Sequence, residues 1–281
     1  MLTTKRSSSY QLASDIMSLS NKSTHQDEDF ARDSFIPSVY NKTYYSTVMQ
    51  DEAALIAWQS NELDGILKKH LANLKLKHFP IMLDAGSGPS AHHIIALSRY
   101  VKKIRVADFM PENLAEIEKW VIKDPQAHNW NLFTKTILEH EGNKFTKLAV
   151  IKRENQTRKK IDSLTHLNLK KLDHTYKDSA LLVSSFFVAD SATKSKKIFK
   201  KMSKNAFDIV QPGGLLVASY LGGCKRYRVG RKWINSADIT ENDIYEAFNE
   251  LDARKLTVWR FETPDMQKDG FNHIFTVVVE R

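Results

Sequence analysis

The stretch IMLDAGSGPSAHH (Ile81 to His93) sets an apolar run against an acid, two glycines, a proline and the start of a helix. A strand that ends in a glycine turn and feeds a helix is the ligand-binding corner of a doubly wound sheet. Glycines there let the backbone approach a ligand, and helix N-terminal amides face its polar groups. Gly86-Ser87-Gly88-Pro89-Ser90-Ala91 fits the G-x-G-x-x-G/A pattern, which by itself also occurs as a purely structural turn.

Outward from this corner, strands and helices alternate. Phe79–Asp84 reads as a strand, Ser90–Tyr100 as a helix, Lys103–Asp108 as a strand, and Pro111–Lys123 as a helix with proline in its first turn. Phe133–Leu138 reads as the third strand, followed by a charged helix through Arg158. Ala180–Val188 is a short apolar strand, Ser195–Val210 a helix, and GGLLVASYL after Pro212 another strand. Thr240 can N-cap a helix to about Leu251, with Asp243 in its first turn. LTVWRFE and FNHIFTVVVE flank the turn-like PDMQKDG and form an antiparallel closing hairpin. The alternation predicts an α/β, Rossmann-like fold with a mostly parallel sheet.

Upstream, DEAALIAWQSNELDGILKKHLANL carries apolar residues at helical spacing, and FIPSVYNKTYYSTV is rich in aromatics. Residues 35–75 are therefore expected to cap one domain spanning 35–281, behind a mobile polar segment at 1–34. Apolar runs are too short to cross a bilayer, and the Ser-rich start has no apolar signal region. The lone Cys224 excludes an intrachain disulfide framework and a cysteine-cluster metal site, so no metal is expected. These features place the chain in the cytoplasm, as a monomer or weak dimer. The formal charge of +9 concentrates in Lys144–Lys171 and Lys194–Lys204. Without interleaved aromatics these are read as solvated helix faces, and neither nucleic acid nor membrane is expected as a partner.

Asp84 decides which ligand the loop takes. A carboxylate is unhelpful beside a pyrophosphate but welcome beside a sulfonium and an ammonium, and no hydride-transfer residues follow at a recognisable spacing. S-adenosylmethionine is the ligand suggested. Asp108, closing the second strand, suits its ribose hydroxyls; as a helix cap ahead of Pro111 it would have a structural role, and the two can coexist.

The chain resembles the nicotinamide, phenylethanolamine and indolethylamine N-methyltransferases. LDAGSGP (Leu83 to Pro89), VADFMPENLAEIEKWVIKDPQAHNWN (Val106 to Asn131), PSVYNKTYY (Pro37 to Tyr45) and QPGGLLVAS carry the similarity. The resemblance implies a class I methyltransferase with a seven-stranded sheet, a small-molecule acceptor and S-adenosylmethionine as cofactor. It implies that Tyr40 and Tyr45 close over the cofactor and that Ser87, Ser90 and His92 surround its methionine end, beside the cofactor-binding Asp84, Gly86 and Gly88 of the loop itself. Asp108 and Asn113 would meet the ribose, and Asp173 and His174 would flank the adenine. Ser185, Phe187 and Ser191 would line the crevice after the fourth strand.

The departures bear on the acceptor. Where the family has an acid at the end of the fifth strand, this chain has Tyr220, and Asp190 falls one residue later than the family's fourth-strand acid. Five bases follow: Lys225, Arg226, Arg228, Arg231 and Lys232. The expectation is an acceptor other than nicotinamide, with an anionic group met by Arg226 and Arg228 beside Tyr44 and Tyr227. Asp190 or Tyr220 would take a proton from an ammonium acceptor. Two alternatives stay open: attack on the cofactor's aminocarboxypropyl group, releasing methylthioadenosine, and methylation of bound RNA.

Overall fold

The computed structural model describes residues 35–143, 145–249 and 251–281; the expected mobile segment lies outside them. Helix α1 (Pro37–Tyr44) begins on proline, and α2 (Gln50–Trp58) runs through one π-turn, Gln59–Leu63, into α3 (Asp64–Asn73). The α/β alternation then follows: β1 (Phe79–Ala85), α4 (His92–Leu97), β2 (Val101–Asp108) and α5 (Pro111–Ile122). Next come α6 (Asn131–His140), α7 (Lys147–Lys160), β3 (Ile161–His166) and β4 (Ala180–Phe186). The last part holds α8 (Lys196–Asp208), β5 (Val210–Gly222), β6 (Arg226–Val229), β7 (Lys232–Asn235), α9 (Glu241–Phe248), β8 (Lys255–Glu262) and β9 (His273–Glu280).

Seven strands form one sheet in the order β3-β2-β1-β4-β5-β9-β8, while β6 and β7 pair separately as a hairpin. β1 to β5 run parallel; β9 is antiparallel to both β5 and β8, which is the expected C-terminal hairpin. Successive strand residues face opposite sides. Leu182, Leu215 and Val217 therefore pack into one apolar cluster and Val183, Leu216 and Ala218 into another. Both faces are covered, as a doubly wound sheet requires.

The expected third strand is a correction. Phe133–Leu138 lies inside α6, where Phe133, Thr134, Ile137 and Leu138 are buried at helical spacing. The third strand is Ile161–His166, in which only Leu164 is fully buried. β3 is a sheet edge, so its side chains lack the apolar alternation of a central strand. α9 closes as expected, with a capping box between Thr240 and Asp243.

Candidate active site

The site is built at the carboxyl ends of β1, β2, β4 and β5. Gly86 (φ 82°) and Gly88 (φ 57°) take left-handed conformations that glycine accepts without strain. A Cβ at Gly86 would lie 2.5 Å from Val188 Cγ1, whereas at Gly88 it would meet nothing within 4 Å. The loop thus packs against the β4 end on one side and opens on the other. Gly86 and Ser87 amides both donate to Ala107 O, at 2.7 and 3.1 Å. The Gly88 amide donates to Asp108 Oδ2 at 2.8 Å.

Asp108 is buried, and its Oδ1 accepts from the Met110 amide at 2.8 Å and from Asn113 Nδ2 at 3.0 Å. The carboxylate therefore ties the glycine loop to the start of α5. A carboxylate has about four acceptor positions, so three donors leave room for a ligand hydroxyl. Asp84 is also buried, and Ser184 Oγ donates to its Oδ1 at 2.6 Å. Burial pushes the Asp84 carboxyl up to about 7; the Ser184 hydroxyl opposes this and the charge of Asp108 adds to it. Ser87, Ser90 and Ser185 spend their hydroxyls on loop and strand carbonyls, those of Gly88, Ser87 and Ala85. Phe187 holds φ 57°, an uncommon conformation for a bulky residue, at the mouth of β4.

Above this floor lies a cavity walled by Tyr40, Tyr44, Tyr45 and Tyr227, with Phe187, Ser191 and Leu221 below and Asp51 and Glu52 beside it. The tyrosine rings of α1 and its C-cap stand 5.1 Å (Tyr40–Tyr44) and 5.7 Å (Tyr40–Tyr45) apart. Tyr44 Oη donates to Arg228 O at 2.7 Å, pinning the cap to the β6–β7 hairpin. Asn41 Nδ2 donates to Pro89 O at 3.0 Å, which pins it to the glycine loop, while Asn41 Oδ1 is buried with no partner.

Asp51 and Glu52 were not singled out in the sequence, where acids in a helix's first turn read as partners of its dipole. Their signal was the i,i+4 spacing to Leu55 and Ile56, which puts them on the buried side of α2. Burial, with Glu52 adjacent, pushes Asp51 up to about 7, and its Oδ1 has no partner. Burial also pushes Glu52 up to about 7, against the influence of His93. His92, expected at the cofactor's methionine end, places Nε2 2.9 Å from Glu52 Oε2. Burial pulls His92 down to about 3 and His93 well below its ordinary range, so both imidazoles are neutral. Glu52, His92 and His93 each offer an atom within 4.8 Å of the others.

Several expected residues sit elsewhere. Tyr220 faces the opposite side of β5, 5.1 Å from the Phe199 ring, with its hydroxyl donating to Ser203 Oγ at 3.4 Å. The strand alternation that turns Leu221 to the cavity turns Tyr220 away, so it cannot take an acceptor's proton. Asp190 does reach the end of β5: its Oδ2 accepts from the Leu221 amide and Ser191 Oγ, each at 3.0 Å, and Oδ1 is buried without a partner. Burial pushes it up to about 6, the Leu221 amide and the Ser191 hydroxyl opposing.

Arg226 and Arg228 alternate with the buried Tyr227 and Val229 along β6, and all five bases of that segment are exposed. Arg226 stacks over Trp233 at 4.8 Å, and Arg228 pairs with Asp269 at 3.2 Å. The hairpin presents tyrosine inward and charge outward, so Tyr227 lines the cavity and Arg226 and Arg228 do not. Asp173 and His174 are exposed, and Asp173 caps its own turn at Thr175. The residue in register with Asp108 at the end of the true third strand is His166, whose ring lies 5.5 Å from Phe109.

The donor set fits S-adenosylmethionine. A loop open at Gly88 adjoins the buried carboxyls Asp84 and Asp108, and the buried acceptor Asn41 Oδ1 lies on the helix that Pro89 holds. Sheet order, glycine loop and strand-end acids together define an S-adenosylmethionine-dependent methyltransferase. The model of the NNMT/PNMT/TEMT family matches residues 22–278, and the chain belongs to that family. Indolethylamine N-methyltransferase of Mus musculus is 24% identical over 238 residues, covering 82% of this chain and 85% of that protein. Nicotinamide N-methyltransferase of Homo sapiens is 23% identical over 223 residues, covering 77% and 81%. Phenylethanolamine N-methyltransferase of Mus musculus is 20% identical over 177 residues, covering 59% and 57%. No helix among the described residues is long and apolar enough to cross a membrane.

Proposed function

We propose that the protein N-methylates a small amine with an apolar body. One observation carries this: the tyrosine-walled cavity is faced by the buried acids Asp51 and Glu52, and the neighbouring bases all point to solvent. A desolvated ammonium gains from such carboxylates and from tyrosine ring faces. A carboxylate or phosphate on the acceptor would be repelled there.

S-adenosylmethionine, when bound, supplies a methyl group already activated on a sulfonium. Gly86, Gly88, Asp84 and Asp108 would hold it, with Tyr40 and Tyr45 above. The protein's share is then positioning and exclusion of water. Tyr44 and Tyr227 fix the cavity's far wall, and Asp51 orients the acceptor's nitrogen. A neutral amide such as nicotinamide gains less from these acids than an ammonium does.

The test compares kcat/KM for indolethylamine and for nicotinamide. A preference of about tenfold or more for the amine is expected, since one charge-assisted hydrogen bond contributes roughly 1.5–3 kcal/mol. Equal use, or preference for nicotinamide, would overturn the amine assignment.

A further inference from the structure

Glu52 is 2% exposed, stands in the first turn of α2 and faces the tyrosine-walled cavity. Its Oε2 lies 2.9 Å from Nε2 of His92, the first residue of α4 after the glycine loop. The contact therefore joins the acceptor wall to the cofactor loop. His92 is clamped in one plane, stacked on Trp130 (5.3 Å, 23°) and packed at 4.6 Å from Tyr45. Its other nitrogen, Nδ1, is buried with no partner.

We propose that Glu52, oriented by His92, is the base that takes the proton of an ammonium acceptor. The proposal rests on the amine assignment above, and it gives the two cavity acids different roles. The Asp51 carboxylate is held by backbone hydrogen bonds in its own turn, at Asp51 and Glu52, and keeps Oδ1 without a partner, which suits it to bind the ammonium. Glu52 has one oxygen held by imidazole and the other left for the acceptor. A neutral imidazole with its proton on Nε2 donates to Oε2 and keeps that carboxylate in place. The acceptor's N–H bond breaks, the proton goes to Oε1, and the electron pair stays on nitrogen as the nucleophile. Ammonium and sulfonium donor then become methylated ammonium, adenosylhomocysteine and one proton, which Glu52 holds until the cavity opens to solvent.

Tyr40, Tyr45, Asp51, His92 and His93 are the titratable groups that face Glu52 from α1, α2 and α4, and His128 acts on His92 from beyond. Both neighbouring tyrosine hydroxyls are pushed above their ordinary range by burial and stay neutral through the working range. Burial pushes Glu52 up to about 7, so its base form grows in near neutrality.

The test measures kcat/KM against pH with indolethylamine. The wild-type profile should rise through a limb near neutrality. Glu52→Gln should abolish that limb and lower kcat by about 10²-fold, within the range for general bases, with adenosylhomocysteine affinity changed less than about threefold. Asp51→Asn should raise KM and retain the limb. His92→Asn should displace the limb while leaving it present, as a positioning role requires. A limb that survives Glu52→Gln, or vanishes in Asp51→Asn, overturns the proposal. If the wild type methylates no amine, the acceptor assignment falls, and difference infrared spectroscopy decides the proton site. The protonated-carboxyl band titrating near neutrality should lose one component in Glu52→Gln and shift in His92→Asn; identical spectra in all three proteins overturn the pair.

Discussion

Asp84 is a buried carboxyl beside the glycine loop, and the Ser184 hydroxyl donates to it. Folded, it keeps its proton up to about 7, whereas an unfolded aspartate releases it near 4. Across that window the native state binds more protons, so this residue's contribution to stability is present at low pH and is lost as pH rises. Asp84→Asn lacks the penalty and should gain stability relative to wild type as pH rises from about 4 to about 7, in denaturant titrations. A difference that is constant with pH would contradict the assignment. Asp108→Ala should weaken adenosylhomocysteine binding by roughly 1.5–3 kcal/mol in calorimetry, through lost charge-assisted hydrogen bonds. Unchanged affinity would leave Asp108 as a tie between loop and helix alone. Both acids were legible because each closes an apolar run beside the glycines. Glu52 was not, because its pairing with His92 spans 40 residues and depends on how α2 lies across α4.

At the scale of elements, the glycine loop and the β6–β7 hairpin carry opposite lessons. The loop was legible from spacing, and its geometry separates two substitutions. Gly86→Ala meets both a left-handed φ and Val188 at 2.5 Å, while Gly88→Ala meets the φ alone. Gly88→Ala should cost about 1–2 kcal/mol of stability, and Gly86→Ala clearly more, in denaturant unfolding. Equal costs would argue against the packing of the loop on β4. The hairpin was read as a run of bases, and only pairing shows that Tyr227 and Val229 turn inward while Arg226 and Arg228 turn outward. Replacing both arginines with alanine should therefore leave turnover within about twofold, since neither side chain lines the cavity, and the cost falls on stability because the buried Asp269 loses its Arg228 partner. A loss of activity without loss of structure would return the arginines to the acceptor site. The third strand was misread for a related reason: at the sheet edge, IDSLTH buries too little to show alternation, while FTKTIL is β-branched yet helical.

Across the whole molecule, the alternation of strands and helices made the doubly wound sheet legible, and the closing antiparallel strands followed from their β-branched runs. What stayed hidden was the cavity, because it is assembled from α1, α2, the β4 end and the hairpin, which meet only in space. The cap is held by a few bonds: Tyr44 to Arg228 O, Asn41 to Pro89 O, and the Gly230 amide to Thr43 Oγ1 at 3.2 Å. Adenosylhomocysteine should therefore slow hydrogen exchange across residues 35–48, and identical exchange with and without it would contradict a closing cap. The α8 lysines Lys196 and Lys200 pair with Asp243 and Glu246 of α9, so part of that helix's positive charge is compensated within the fold.

Product identification by mass spectrometry, with wild-type protein, S-adenosylmethionine and indolethylamine, tests methyl transfer at this site. Adenosylhomocysteine and N-methylated amine should accumulate in equal amounts. Methylthioadenosine accumulating without any methylated amine would contradict methyl transfer into the tyrosine-walled, acid-faced cavity.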